Sequence, residues 1–355
     1  MIKILCLEDK RIDAVGFWRV YRPFQVMRKL YPGIFDIEYK KEGLTFADIA
    51  TYDVVFMTRP EKPEHIDFIK NAKLDGMGTV FICDADDDYF DLPVSHSMSA
   101  GFNASHKKRL KTTAAAWQLA DAMWFSTDYL TNKYGKGLNR AQTMVNAVLP
   151  ESLPNDPAPD RGHVMWRGHS IQNHDLMIEG VKTFEKIHKA ANYFAWIGYM
   201  PPLPGWEKAV HLPETKEAQA QLYNAKKVLG ETPSVLYPAI PNPADFMRML
   251  YHDKFNVVWK PLISHGFNEA KSNIALIEAT IAGGYCLTNF AGRPMWENAS
   301  SKYLPYDQGV ALWEAAKDQI KKEYNLYDTA HARAAVIFGL LGYSVPQKQI
   351  ANAAP

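Results

Sequence analysis

Cysteine is scarce, with three residues at positions 6, 83 and 286 in a chain of 355. An odd number at such wide spacing supports neither a disulfide framework nor a cysteine-rich zinc site, and it fits a reducing cytoplasm. A surplus of charge is missing as well, since 40 Lys and Arg stand against 39 Asp and Glu, for a formal net charge of +1. Any attraction to nucleic acid or an anionic membrane therefore has to be local. No segment approaches the ~18 consecutive apolar residues that a membrane helix requires. The first apolar run meets Glu8, Asp9 and Lys10 before a signal-peptide core can develop. Cytoplasmic localisation, with at most peripheral membrane contact, is the expectation. The sequence has no low-complexity tract or short-period repeat and no H-E-x-x-H, G-x-S-x-G or Walker motif, so these routes to a zinc, serine-hydrolase or P-loop enzyme lack support.

What is present is a globular composition, 47% hydrophobic and 12% aromatic, in a chain longer than one core of about 100–200 residues accommodates. Two domains are expected. Short apolar runs over 2–7, 53–58, 79–83 and 122–126 alternate with helical stretches over 22–31, from about 63 and from about 105, and 143–148 closes the unit. Pro150, Pro154, Pro157 and Pro159 then interrupt the chain, and 150–161 reads as an interdomain linker because it can continue neither a helix nor a central strand. The alternation restarts with strands over 163–166, 193–197, 256–259 and 285–288. Helices fall over 174–188, near 245–251 and over 269–282, and 312–341 forms a mostly helical tail. Such alternation indicates an α/β protein with two doubly wound parallel sheets, in domains 1–149 and 162–355.

The segment from Trp259 to Gly284 carries the most chemistry. Ala270, Ile274, Ile277 and Ile281 make a buried helical stripe, and Gly283 and Gly284 offer a C-terminal stop. Lys271 and Glu278, seven positions apart, share a face and are separated by roughly 10 Å along the axis. Lys271 and Ser272 in a first helical turn suit a phosphate or diphosphate, while Glu278 is placed to accept hydrogen bonds from ribose hydroxyls. A solvated Lys and Glu on an ordinary amphipathic helix is the plain alternative.

Two further clusters stand out. Asp84-Ala-Asp-Asp-Asp-Tyr-Phe-Asp91 follows a strand, where a doubly wound sheet lines its ligand crevice. Asp84 or Asp86 would there orient or deprotonate a substrate hydroxyl; a helix-capping acidic loop and a divalent-metal pair are the other readings. The basic run His106-Lys-Lys-Arg-Leu-Lys111 opens a helix, so Lys107, Lys108, Arg109 and Lys111 form either a patch for a polyanionic acceptor or a solvated face.

The stretch from Phe267 through Glu278, with Ala-Gly-Gly and a strand after it, resembles the donor-binding helix of retaining GT-B glycosyltransferases of the broad group-1 type. Val164-Met-Trp-Arg-Gly-His with His174-Asp175 is similar to the first strand and loop of that family's C-terminal domain. Asn146 resembles the Asn at its domain crossover, and the segment from Gly16 to Leu30 its first loop and helix. The resemblance implies two Rossmann-like domains facing a cleft, a nucleotide diphosphate sugar as donor and no metal or other cofactor. It implies a hydroxyl acceptor, such as a glycan, and transfer with retention; with the basic run from Lys107 to Lys111 as a polyanion patch, the acceptor could instead be DNA bearing hydroxymethylated bases. It assigns Gly16, Arg167, Gly168, Lys260, Lys271 and Ser272 to the donor's diphosphate side and Glu278 to its ribose. Two departures accompany it: Ala270 stands where relatives carry a first glutamate, with Glu269 one step out of register, and no Lys follows Arg167 at the usual distance. A metal-dependent GT-A transferase, a GT-B-like nucleotide-sugar epimerase and a non-catalytic nucleotide-binding relative are the rivals.

Overall fold

The computed structural model describes residues 1–7, 14–40, 44–92, 104–167, 186–187, 189–197, 234–237, 242–262, 264–289 and 299–348. The expected helix 174–188 and the loop residue Gly168 lie outside them, apart from 186 and 187.

Two parallel sheets carry the fold. The first contains β1 (Ile2–Leu7), β2 (Phe35–Lys40), β3 (Val54–Thr58), β4 (Val80–Ala85), β5 (Ala122–Phe125) and β6 (Ala141–Thr143), in the order β2-β1-β3-β4-β5-β6. The second contains β7 (His163–Arg167), β8 (Tyr193–Ile197), β9 (Ser234–Tyr237), β10 (Val257–Trp259) and β11 (Tyr285–Leu287), in the order β11-β10-β7-β8-β9. Every residue of β3 is buried, as both faces of an inner parallel strand must be. Edge strand β2 is different: Phe35 and Ile37 point inward while Glu38 is exposed, so it presents no continuous apolar run and escapes the sequence reading. Strand order reverses between β1 and β3 in one sheet and between β7 and β10 in the other. Both reversals open crevices at the carboxyl ends of the strands.

The helix expected over 269–282 is two pieces, Gly266–Glu269 and Ile274–Ala282. Asn268 in the first piece and Asn273 just ahead of the second are fully buried, and polar side chains of this kind compete with the helical ladder. The Ala270 carbonyl accepts from Thr127 Oγ1 of the other half at 3.4 Å. Lys271 and Ser272 thus precede the second helix rather than occupy its first turn. Gly283 ends that helix at φ +85°, and a Cβ there would meet the Ala158 nitrogen at 2.5 Å.

The segment 150–161 is more than a spacer. Pro150–Ser152 forms a short 3-10 turn, Leu153 and Ala158 are buried, and Ala158 N–H donates to the Gly283 carbonyl at 2.7 Å. The tail divides between the halves. Helix Tyr306–Glu323 stays with the second sheet, where Trp313 Nε1 donates to the Thr280 carbonyl at 2.9 Å. Helix Leu326–Leu340 crosses back to pack on helix Arg22–Leu30, with Phe338 5.6 Å from Tyr31 and 5.3 Å from Phe35 between ring centroids. The expected boundary, which gave the whole tail to the second domain, is corrected on this point. The apolar face of the last helix is buried where aromatic surface of the first half was left to cover. The largest apolar cluster accordingly runs through both halves, from Ile4 and Phe56 by way of Ile337 to Ile277 and Val258.

Candidate active site

A cavity of about 180 Å³ opens where the two crevices face each other. The first half contributes Trp18, Arg19, Asp86, Asp87 and Asn146; the second contributes Trp259, Lys260, Lys271, Ser272 and Glu278. Lys260 follows β10 directly, and Glu278 lies one turn into helix Ile274–Ala282, with 3% of its surface exposed. Five candidate site residues from the sequence, Asp86, Lys260, Lys271, Ser272 and Glu278, therefore share one cavity with Asn146. Arg167 ends β7 at the switch point, and its side chain falls outside the described residues, as does Gly168. Gly16 is buried at the start of the helical segment leading to Arg22–Leu30 and does not line the cavity.

The acidic cluster separates into different roles. Asp84 is fully buried, with both carboxylate oxygens held by Arg19, whose Nε lies 3.0 Å away. It does not reach the cavity, and a guanidinium sits where a metal or an acceptor hydroxyl would have to approach. Asp84 is corrected from catalytic candidate to buried strut, because Arg19 also binds the Met144 carbonyl and so joins β4 to the chain leaving β6. Asp88 and Asp91 share Lys133 at 2.7 Å each, and Asp88 also accepts from the Tyr134 hydroxyl.

Asp86 and Asp87 face the cavity. Asp86 takes a bidentate grip from Arg59, at 2.9 and 2.8 Å, and accepts from the Tyr89 hydroxyl at 3.2 Å. Burial pushes the Asp86 carboxyl up, but the Arg59 guanidinium outweighs it and holds the group below the ordinary carboxylate range. Asp87 forms an ion pair with Lys271 at 3.1 Å, joining the halves across the cavity. Burial, reinforced by the neighbouring Asp86 charge, raises the Asp87 carboxyl despite that lysine. The Lys271 ammonium also stands 4.0 Å from the Phe267 ring centroid.

Arg59 and Asp87 are the residues that sequence reasoning passed over. Arg59 sits at φ +51°, a left-handed conformation rare for a side-chain-bearing residue, and its guanidinium lies 4.6 Å from the centre of the Tyr89 ring. Its position directly after β3, at the end of a strand next to the switch point, was the available signal. Lys107, Lys108, Arg109 and Lys111 are exposed on helix Ala104–Leu119, and Arg109 pairs with Glu61 at 3.6 Å. The helix follows β4, so its N-terminal turns lie at the cleft end of the first sheet, and Thr113 Oγ1 donates to the Pro60 carbonyl at 3.2 Å.

No protein-family model and no curated protein sequence matches the chain. Solved structures do match. A glycosyltransferase from Rickettsia africae ESF-5 superimposes with a TM-score of 0.58 at 11% identity, over 97% of this chain and 99% of that one. Sucrose-phosphate synthase from Thermosynechococcus elongatus gives 0.59 at 9% identity, over 97% and 100%. A trehalose-6-phosphate synthase, studied for glycosyl transfer with retention, gives 0.56 at 9% identity, over 95% and 99%. The fold is GT-B. Nearly full coverage in both directions means that the likeness includes both sheets and the crossing tail rather than one Rossmann unit. The GT-A alternative falls with it, because the two separate parallel sheets are those of GT-B. Among the described residues no helix is long and apolar enough to cross a membrane.

Proposed function

We propose that this GT-B protein transfers a sugar from a nucleotide diphosphate donor to a hydroxyl acceptor, with retention at the anomeric carbon. The observation that carries the reading is the cavity itself. It joins Lys260, Lys271 and Ser272, suited to a diphosphate, to a buried Glu278, suited to a ribose, at the switch point of the second sheet. Lys271 and Ser272 come immediately before a nine-residue helix, so a diphosphate beside them also meets backbone N–H groups and the positive end of the helix dipole. Charge that develops on the departing diphosphate is stabilised there, and this is the largest contribution the protein makes to the reaction. The chemistry asks for no metal, with Lys271, Lys260 and Arg167 supplying the positive charge. Retention rests on the GT-B resemblance and on the trehalose-6-phosphate synthase neighbour.

The acceptor enters from the first half, where Lys107, Lys108, Arg109 and Lys111 offer a cationic rim to an anionic polymer such as DNA carrying hydroxymethylated bases; a glycan is the neutral choice. Calorimetry with UDP, GDP, ADP and CDP tests the donor site. Lys271→Ala is expected to cost about 1.5–3 kcal/mol of diphosphate affinity, the range for a hydrogen bond to a charged group. Glu278→Gln should weaken nucleosides and nucleoside diphosphates while sparing inorganic pyrophosphate. Unchanged affinity in both variants would remove the donor assignment. Incubating a bound nucleotide's sugar derivative without acceptor separates an epimerase, which yields an isomeric donor, from a transferase.

A further inference from the structure

Resting on the donor site just proposed, we infer that Asn146, on the chain between β6 and the 150–161 segment, donates its side-chain N–H₂ to an oxygen of the donor's diphosphate. Asn146 is 1% exposed and lines the cavity, and among the described residues its amide nitrogen has no hydrogen-bond partner. A buried donor in that condition is uncommon, because nothing replaces its lost hydration. A ligand in the cavity supplies the missing acceptor.

The neighbours of Asn146 fix which way its amide faces. Arg19 Nη1 lies 3.4 Å from Asn146 Oδ1. A guanidinium has donors only, so the atom turned to it is the oxygen, and the N–H₂ lies on the other side. Arg19 is itself held, by Asp84 at 3.0 Å through Nε and by the Met144 carbonyl. The backbone carbonyl of Asn146 accepts from Asn273 Nδ2 at 3.5 Å. Asn273 stands directly before helix Ile274–Ala282 and directly after Lys271 and Ser272. The unpaired N–H₂ thus belongs to a residue docked at the helix start to which the diphosphate is assigned.

Chemistry selects the ligand atom. With Oδ1 turned to Arg19, the remaining end of Asn146 offers donors alone. A sugar hydroxyl brings a proton that needs an acceptor of its own, whereas a phosphate oxygen is an acceptor only. The amide also adds no charge to a cavity where Arg19, Lys260 and Lys271 already face Asp86, Asp87 and Glu278. Its bond strengthens as negative charge collects on the departing diphosphate.

The test uses the full chain, with the nucleoside diphosphate that binds wild type most tightly as ligand and inorganic pyrophosphate, which lacks base and sugar, as its competitor. Asn146→Ala is expected to weaken both about ten- to hundredfold and by the same factor, the range for one hydrogen bond to a charged group. Asn146→Asp keeps the size and an acceptor for Arg19 but replaces the donor with a further acceptor, so it should weaken both at least as far. A water bridging Asn146 to the unpartnered Asn273 Oδ1 is the structural alternative. It lowers the melting temperature of both variants and leaves their pyrophosphate affinity as in wild type. Unchanged pyrophosphate affinity in either variant therefore overturns the role of Asn146 alone. Failure of wild type to bind any nucleoside diphosphate, or of pyrophosphate to compete for it, overturns the donor site and this inference with it.

Discussion

Two adjacent carboxylates, Asp86 and Asp87, are driven in opposite directions by their partners, and their contributions to stability oppose each other accordingly. Asp86 is held below its ordinary value by Arg59 against the cost of burial. A lowered folded-state value stabilises the protein above the unfolded value of about 3.9, and the benefit disappears as pH falls through the folded value. Asp86→Asn should therefore cost about 2 kcal/mol at pH 7, where Arg59 loses its charged partner, and the gap to wild type should close below about pH 4. For Asp87 the folded value is raised, so its ionised form is a burden at neutral pH and the burden lifts as pH falls. Asp87→Asn should be neutral or stabilising at pH 7. Urea unfolding of both variants at several pH values checks the two signs together. The acidic run after β4 was visible in the sequence. Its division into a strut, a clamped anion and a lysine-paired group was not, because Arg19, Arg59 and Lys271 arrive from 65, 27 and 184 positions away.

Helix Ala104–Leu119 shows how an element's place in the fold changes the meaning of its composition. In isolation its basic first turns are an ordinary solvated face, and Glu61 already neutralises part of the charge. Its N-terminal turns nevertheless lie at the cleft end of the first sheet, on the side proposed for the acceptor. Exchanging Lys107, Lys108, Arg109 and Lys111 for Gln should weaken binding of a polyanionic acceptor. The slope of log K against log salt should fall by roughly 0.9 per lost contact for duplex DNA and 0.7 for a single strand, while nucleoside diphosphate affinity stays as it was. Titrating modified and unmodified DNA over a salt series decides this, and a wild type that binds neither leaves the glycan as acceptor. Helix Ile274–Ala282 was legible from its apolar stripe and its Gly283 stop. The break ahead of it was not, since the Ala270 carbonyl turns to a threonine of the other half.

For the molecule as a whole, the last helix joins the halves. Leu326–Leu340 covers helix Arg22–Leu30, the Asn325 segment bridges to Val148, and buried Arg333 donates to the Arg19 carbonyl at 2.6 Å while lying 5.2 Å from the Trp124 ring centroid. Burial and the nearby Arg19 charge push the Arg333 guanidinium down to about 9, so this anchor carries a cost that its packing has to exceed. Ending the chain after Tyr324 should uncover Tyr31, Phe35 and the surface around Trp124. The expected outcome is loss of cooperative thermal unfolding or aggregation of the first half, whereas ending it after Lys348 should leave the melting temperature within a few degrees of the full chain. Scanning calorimetry of the two truncations provides the comparison.

By itself the sequence determined the elements whose signal is local. Buried strands such as β1, β3 and β7 read as short apolar runs, helix Ile274–Ala282 as a stripe ending in glycine, and Lys271 and Glu278 as two charges on one face. From these followed two parallel sheets and the second sheet's side of the cavity. The tertiary structure alone decided which carboxylate is masked by which cation, that Arg59 serves Asp86, that 150–161 is pinned at Gly283, and that the tail returns to the first half. Periodicity reports which side of an element faces apolar surroundings. It carries no record of which distant segment supplies them, and ion pairs across a cleft depend on that second fact.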